Sequence, residues 1–252
     1  MITTLLYTLI SVLIVSLISL IGILSISINI KFIKRVLLYF VSFAAGALFG
    51  DSILHLIPES FKENNAAAAS VFILLGIAVS FFIEKVIHWR HCHHYDHGTH
   101  CRHEHKPFAY VNLIGDSVHN FIDGLIIAGS YLVSIPVGIS TTLAVILHEI
   151  PQEIGDFAIL LHGGFSRMKA LLFNLLTALT AVIGALAALA LSKYTFNLTN
   201  FLIPFAAGTF IYIAGSDLIP ELHKEVNLKK SGLQFLMFLI GILIMFLLLY
   251  VG

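Results

Sequence analysis

Two short clusters of histidine and carboxylate side chains lie in consecutive apolar stretches of the sequence. The first is His119-Asn120-Phe121-Ile122-Asp123 and the second is His148-Glu149-Ile150-Pro151-Gln152-Glu153. Ionisable side chains at bilayer depth cost about 2.5–3.5 kcal/mol each on insertion scales, so they are rare there unless they line a pathway. An imidazole and a carboxylate one helical turn apart can both reach one ion, and this ligand mix suits zinc, iron or manganese. The clusters therefore predict a site for a divalent transition metal.

The composition places both clusters in a membrane protein. The 252 residues are 58% hydrophobic and 11% charged, whereas an ordinary soluble domain is about 25% charged. Eight stretches approach or exceed the roughly 20 helical residues that cross the hydrocarbon of a bilayer. We therefore predict an all-α polytopic fold in which residues 1–252 form one transmembrane domain. The predicted spans 1 to 8 are Ile2–Ile28, Val36–Ile57, Ala68–Ile87, Phe108–Tyr131, Val137–Leu161, Lys169–Leu191, Phe201–Ile219 and Gly232–Val251.

The charges of the connecting loops orient these spans. If the N-terminus lies outside, twelve of the fourteen Lys and Arg residues fall in or beside the loops after spans 1, 3, 5 and 7, and such loops face the cytoplasm. Both termini are then non-cytoplasmic, and the cell (inner) membrane is the expected location.

A net charge of zero argues against nucleic acid as a partner. The sequence has no GxxxxGK[ST] loop, so no nucleotide is expected.

An internal repeat relates the two halves of the chain. Phe43–Glu59 and Phe205–Glu221 align without gaps, begin with Phe-Ala-Ala-Gly, end with Leu-Ile-Pro-Glu and agree at eight of seventeen positions. Because spans 2 and 7 run in opposite directions, we predict an inverted repeat of spans 1–3 and 6–8 around spans 4 and 5, as in many secondary transporters. The alternative is small-residue packing, which is common between membrane helices.

Further polar residues are candidates for an ion pathway. Those on spans 4 and 5 continue the polar stripes of the two clusters at three- and four-residue spacing. Asp51 and His55 stand one turn apart on span 2, and Asp217 on span 7 aligns with His55 in the repeat. For any one of them the alternative is an interhelical hydrogen bond worth about 0.6 kcal/mol. The predicted pathway residues are Asp51, His55, Asp116, Asp156 and Asp217.

The loop between spans 3 and 4, residues 88–107, is rich in histidine and is predicted to be cytoplasmic. It holds eight of the thirteen histidines together with Cys92 and Cys101. Histidine-rich tracts indicate metal binding by composition only, and a solvated connector is the alternative. We expect loose zinc binding, as a reservoir or sensor. The candidate ligands are His91, His93, His94, His97, His100, His103 and His105.

The two clusters resemble those of the ZIP family of divalent-metal transporters, in the branch whose fifth helix carries the pattern HEXPHE. The matching segments are His-Asn-Phe-Ile-Asp-Gly at 119–124 and His-Glu-Ile-Pro-Gln-Glu-Ile-Gly-Asp-Phe at 148–157. The resemblance implies a transporter, not an enzyme, that moves zinc, iron or manganese into the cytoplasm by displacement of one helix bundle against another. The oligomeric state stays open, with a homodimer as one alternative. The ligands implied by position are His119, Asn120, Asp123, His148, Glu149 and Gln152.

Gln152 departs from the family pattern, because that branch has a second histidine at this position. An amide oxygen is a weaker ligand than an imidazole, so one tightly held ion is favoured over a bridged pair, with Glu153 able to compensate in part. The missing histidine also argues against an intramembrane zinc protease, which needs HExxH. A cation-diffusion type exporter remains the alternative, since His119 and Asp123 satisfy its HxxxD pair. The direction of flux discriminates between import and export, and a metal sensor would show binding without flux.

Overall fold

The computed structural model describes residues 2–21, 30–92, 106–192 and 198–250. Within these ranges the chain forms helices and no strands, which confirms the all-α fold. A 3-10 turn, Ser19–Ile21, extends the first helix, and two π-helical segments, Ser52–Leu56 and Ile213–Leu218, each join two consecutive α-helices. The helices are α1 (Ile2–Ile18), α2 (Ile30–Asp51), α3 (Ile57–Glu63), α4 (Ala66–Cys92), α5 (Lys106–Val133), α6 (Ile135–His162), α7 (Arg167–Ala178), α8 (Thr180–Leu191), α9 (Leu198–Tyr212), α10 (Ile219–Leu222) and α11 (Leu228–Leu248).

Six helical stretches of the described ranges are long and apolar enough to cross a membrane, which confirms a multi-pass integral membrane protein. Helices α5 and α6, which correspond to predicted spans 4 and 5, are 28 residues each, or about 42 Å long. Their polar stripes make α5 and α6 less apolar than these six stretches. The six stretches are Ile2–Ile21, Leu38–Lys62, Ala66–Lys85, Arg167–Leu191, Leu198–Leu222 and Leu228–Leu248.

Helices α2 and α11 pack at backbone distance through a pair of glycines. A Cβ added to Gly46 would lie 2.0 Å from the carbonyl oxygen of Phe238, and one added to Gly241 would lie 2.3 Å from that of Phe43. Only a residue without a side chain permits this approach, which is typical of membrane helices that associate through small residues.

Helices α4 and α9 pack in the same way. A Cβ on Gly208 would lie 2.0 Å from the carbonyl oxygen of Ile73, and one on Gly76 would lie 2.2 Å from that of Phe205. Gly208 and Phe205 are the residues that align with Gly46 and Phe43 in the sequence repeat. The glycine contacts of the two halves of the chain therefore correspond position by position.

Proline and π-helical geometry recur at the ends of the two repeated segments. Pro58 and Pro220 each stand in the first turn of a short helix, α3 and α10, where the missing N–H has no intrahelical acceptor to lose. A π-helical segment precedes each of these helices directly. Such segments are uncommon and are frequent at functional sites.

The outer helices shield the central ones. Only 11% of the residues in the apolar part of α4 and 17% of those in α11 are buried within the protein. These helices therefore present exposed apolar side chains, among them Phe82 and Phe235. Helix α5 packs against α6, α8 and α9, and α6 also packs against α1 and α2. The two helices that carry the polar clusters therefore lie at the centre of the bundle.

Candidate metal centre

Helices α5 and α6 are joined by a one-residue turn that sets their polar faces opposite each other. Ser134 separates them, and its side chain caps α6 by accepting a hydrogen bond from the amide of Val137 at 3.3 Å. Gly138 permits this reversal of chain direction, because a Cβ there would lie 2.1 Å from the ring of Tyr131 and would clash with it. The two helices therefore run antiparallel in close contact, and the histidines of the two clusters meet.

Four ligand atoms converge between these helices: His119 Nε2, Asp123 Oδ2, His148 Nε2 and Glu149 Oε1 all lie within 4.8 Å of one another. The two imidazole nitrogens are 3.2 Å apart. Asp123 Oδ2 is 3.5 and 3.3 Å from the nitrogens of His119 and His148, and Glu149 Oε1 is 3.4 and 3.6 Å from them. A tetrahedron with zinc–ligand bonds of 2.0–2.1 Å has edges of about 3.3 Å. The five distances are close to these edges, and the sixth, between the two carboxylate oxygens, is at most 4.8 Å, so the four-ligand cluster is about the size of a tetrahedral zinc site.

The four-ligand cluster is largely buried, and within the described residues the ion pairs of its two carboxylates are with the two imidazoles. Asp123 and Glu149 are fully buried, and Asp123 Oδ2 and Glu149 Oε1 have no hydrogen-bond partner within the described residues. No Lys or Arg whose side chain is described forms an ion pair with either carboxylate. Buried carboxylates are costly unless a cation or hydrogen bonds compensate them. The arrangement is therefore suited to a cation.

A backbone carbonyl orients one of the imidazoles. His148 Nδ1 lies 3.2 Å from the carbonyl oxygen of Ala144, and a proton on Nδ1 leaves the lone pair of Nε2 facing the other ligands, as is usual for metal-binding histidines. The ring of Phe210 on α9 lies edge-on to His148, with centroids 6.0 Å apart. His148 is thus held from two sides.

The other three predicted ligands lie beside the four-ligand cluster. Gln152 Nε2 is 3.4 Å from Asp116 Oδ1, and Asn120 Nδ2 donates to the carbonyl and the Oδ1 of the same aspartate at 3.2 and 2.9 Å. Glu153 turns toward α7, where it accepts a hydrogen bond of 2.7 Å from Asn174. Asn174 was not among the residues predicted from the sequence, although an amide in the middle of an apolar stretch is a signal for such a partner; in the structure it is fully buried.

A cavity of about 840 Å³ leads away from the four-ligand cluster. Its wall includes His119 and His148, and it extends along the side of the bundle where α4 and α6 end and α5 begins. Lys224 in this wall pairs with Glu221. The predicted pathway residues in the wall are Asp116, Asp156 and Asp217.

The other two predicted pathway residues, Asp51 on α2 and His55 in the π-helical segment that follows it, do not line this cavity. Asp51 is fully buried and accepts a hydrogen bond of 3.0 Å from Thr141 on α6. His55 is buried, with Nε2 2.9 Å from the carbonyl oxygen of Met245 on α11. The loop ligands from His93 to His105 lie outside the described residues, and only the backbone of His91 is described.

Comparisons with known proteins agree over nearly the whole chain. The model of the ZIP Zinc transporter family matches residues 2–108 and 89–249. The chain is 34% identical to the zinc transporter ZIP13 homolog of Drosophila melanogaster over 273 residues, which covers 84% of this chain and 77% of that protein. It is 32% identical to zinc transporter zipt-7.1 of Caenorhabditis briggsae over 263 residues (80% and 67%), and 34% identical to zinc transporter ZIP13 of Pongo abelii over 220 residues (81% and 64%). The chain therefore belongs to the ZIP zinc transporter family, whose members are transporters rather than enzymes.

Proposed function

We propose that the protein carries zinc into the cytoplasm, with His119, Asp123, His148 and Glu149 as the ligands of the transported ion. The observation that carries this proposal is the convergence of four ligand atoms within 4.8 Å of one another, three of them on buried residues and two of them carboxylate oxygens without a hydrogen-bond partner among the described residues. Imidazole and carboxylate together favour zinc, and iron(II) and manganese(II) are the competing substrates because they accept the same ligands. The names of the relatives, which are zinc transporters, support zinc as the first choice.

The cavity supports release toward the cytoplasm. It runs to the side on which the loops after predicted spans 1, 3, 5 and 7 end, and these loops are predicted to hold or adjoin twelve of the fourteen Lys and Arg residues. The side rich in these residues faces the cytoplasm. On the opposite side, Asp51 and His55 are buried against neighbouring helices. We infer a conformation that is open to the cytoplasm and closed to the other face, with both termini on that other face.

The helix arrangement supports eight membrane spans with an inverted repeat. Helices α5 and α6 supply two spans in addition to the six apolar ones, and the corresponding glycine contacts and π segments support a two-fold relation between the halves. Alternating access then follows if α1 and α5–α8, which include the ligands, move against α2–α4 and α9–α11. Such a movement must break the hydrogen bond between Thr141 and Asp51 and the ring contact between His148 and Phe210, because each joins one group of helices to the other.

Zinc uptake into proteoliposomes that contain a zinc-sensitive dye tests the ligand assignment. We expect His148→Ala, Asp123→Asn and Glu149→Gln each to abolish uptake, because each removes one corner of the tetrahedron. Two surface variants, His223→Ala and Glu225→Gln, make the same chemical changes outside the cavity wall and should transport as the native protein does. Uptake that survives in all three ligand variants would overturn the proposal.

The direction of transport needs a separate measurement in cells. Expression of the native protein should raise cytoplasmic zinc, and a fall would favour an exporter instead. Deletion of residues 88–107 should change the apparent affinity or regulation more than it reduces flux, because the four-ligand cluster lies outside that loop. A panel of zinc, iron(II), manganese(II) and cadmium in the same assay ranks the substrates.

A further inference from the structure

Gly155 on α6 differs from the glycines that hold the central helices together. A Cβ added to Gly124 or Gly138 would lie 1.9 or 2.1 Å from an atom of a neighbouring residue, so packing explains both. A Cβ added to Gly155 would meet no heavy atom of the described residues within 4 Å, beyond the backbone of α6 itself. A glycine inside a helix costs about 0.5–1 kcal/mol relative to alanine. No helix contact accounts for this cost at Gly155.

The open space beside Gly155 belongs to the cavity that begins at the four-ligand cluster. Gly155 is exposed, and it lines the cavity together with His148 and Gln152. It comes seven residues after His148, which is about 10 Å along a helix and nearly two full turns. Residues at this spacing share a helix face. A side chain at position 155 would therefore extend from the face of α6 that carries His148, on the side of the cluster that we assign to the cytoplasm.

Elsewhere the cavity wall carries large side chains that are held in place. Tyr212 on α9 lines the cavity, and its hydroxyl donates a hydrogen bond to the carboxylate of Glu84 on α4, which also lines it. Both residues lie in the group of helices that does not carry the metal ligands. The room beside α6 therefore depends on what α6 itself presents, and at position 155 it presents only backbone.

We propose that Gly155 sets the width of the passage between the four-ligand cluster and the cytoplasm. An ion that leaves protein ligands takes water in their place, as zinc does at sites with an open position, and a hydrated ion needs more room than a bare one. Glycine provides such room where a backbone must let a ligand approach. A larger side chain at position 155 should therefore slow the passage of zinc without changing its binding to the cluster. This inference rests on the proposed transport function and concerns the release side of the same route.

A series of side chains of increasing size tests the passage. Gly155→Ala, Gly155→Leu and Gly155→Phe are compared in the proteoliposome assay for zinc uptake. The maximal rate should fall in that order, and Gly155→Phe should be at least about tenfold slower than the native protein, equivalent to a barrier about 1.4 kcal/mol higher. Zinc titration should show native affinity in all three variants, because the four ligands are untouched.

The same substitutions at Gly232 are the matched controls. Gly232 is a glycine of α11 that also has no described heavy atom within 4 Å of an added Cβ, and it lies outside the cavity wall. Its variants should transport at the native rate. An uptake rate that does not depend on side-chain size at position 155, or that falls equally at position 232, overturns the proposal.

Reversible modification of one protein removes folding as an explanation. Gly155→Cys is made with Cys92→Ser and Cys101→Ser, which replace the two native cysteines. The introduced thiol is treated with the neutral reagents methyl or benzyl methanethiosulfonate. We expect it to react, whereas the thiol of Ala128→Cys, at a fully buried position of α5, should not. The benzyl group should slow uptake more than the methyl group, and dithiothreitol should restore the rate. An unreactive thiol at position 155, or unchanged uptake after benzyl modification, contradicts the proposal.

The ligand variants separate this proposal from the transport assignment. If uptake needs the four ligands but ignores the size of residue 155, the passage proposal fails and the ligand assignment stands. If uptake survives in the ligand variants, the ligand assignment fails, and the modification experiment still decides whether position 155 limits the passage.

Discussion

The closest helix contact beside the four-ligand cluster joins α5 to α8 at Gly124, the residue after Asp123. A Cβ at Gly124 would lie 1.9 Å from the carbonyl oxygen of Ala181, whereas ordinary contact begins at 3.4 Å. Gly184 makes the reciprocal contact, with a Cβ 2.0 Å from the carbonyl oxygen of Phe121. The obstacle is backbone in both cases, so Gly124→Ala forces the two helices apart by about 1.5 Å, the difference between these distances.

The expected cost of Gly124→Ala follows from two opposing effects. Overpacking a close contact costs about 1–3 kcal/mol, and a contact with rigid backbone belongs at the upper end of that range. Replacing a helical glycine by alanine returns up to about 1 kcal/mol. We therefore expect a net loss of about 2 kcal/mol in the free energy of unfolding. Zinc sites tolerate about 0.2 Å in their bond lengths, so a displaced α5 should also weaken zinc binding by about 10–100-fold, the range seen when groups supporting metal ligands are removed.

Gly155→Ala is the matched control. It lies on α6 in the cavity wall, and a Cβ there would meet nothing within 4 Å, so the variant should unfold at the same temperature as the native protein or slightly higher. Thermal unfolding in detergent and zinc titration on the same preparations measure both effects. If Gly124→Ala matches Gly155→Ala in unfolding temperature and in zinc affinity, the close approach of α5 and α8 does not support the four-ligand cluster.

Three further substitutions address individual side chains. Gln152→His should raise the affinity for zinc and slow its release, because it adds an imidazole in the cavity wall one turn after His148; equal zinc binding in titrations of both proteins would contradict this. Glu153→Gln should leave zinc binding unchanged, since Asn174 holds this side chain toward α7; a loss of zinc in the same titration would show that Glu153 is a ligand. Tyr131→Phe removes a buried hydroxyl that lies 2.9 Å from Ser11 Oγ and should lower the free energy of unfolding by about 1 kcal/mol in thermal or denaturant unfolding with uptake retained; an unchanged stability would mean that this contact is not formed.

Helical spacing was sufficient to predict which residues face one another, but not which side chains reach one point. His119 and Asp123 are four residues apart, as are His148 and Gln152, so spacing alone treats the two pairs alike. In the structure His148 joins the four-ligand cluster, whereas Gln152 turns to Asp116. The choice depends on side-chain rotamers and on the local distance between α5 and α6, which no property of a single helix determines.

Long-range partners were likewise beyond the sequence. Glu153 is adjacent in sequence to a predicted ligand, and proximity suggested that it could assist the metal. Its actual partner, Asn174, is 21 residues away on a different helix. The break between α7 and α8, within predicted span 6, has a similar origin, because the hydroxyl of Thr180 donates to the carbonyl oxygens of Thr177 and of Ser117 on α5. Such tertiary hydrogen bonds compete with regular helix geometry and leave little trace in hydrophobic periodicity.

The membrane fold was predictable because apolar length and composition are properties of the chain itself, and the two helices that depart from this rule carry the proposed metal site. The six stretches apolar enough to span a membrane on composition alone include neither α5 nor α6. These two helices carry all four residues of the four-ligand cluster, together with the buried Asp116 and Asp156. Their polar stripes are tolerable only because each stripe faces the other helix, neighbouring helices or the cavity, and not lipid. The same side chains that lower the apolarity of α5 and α6 therefore require a central position, which is where the proposed metal site lies.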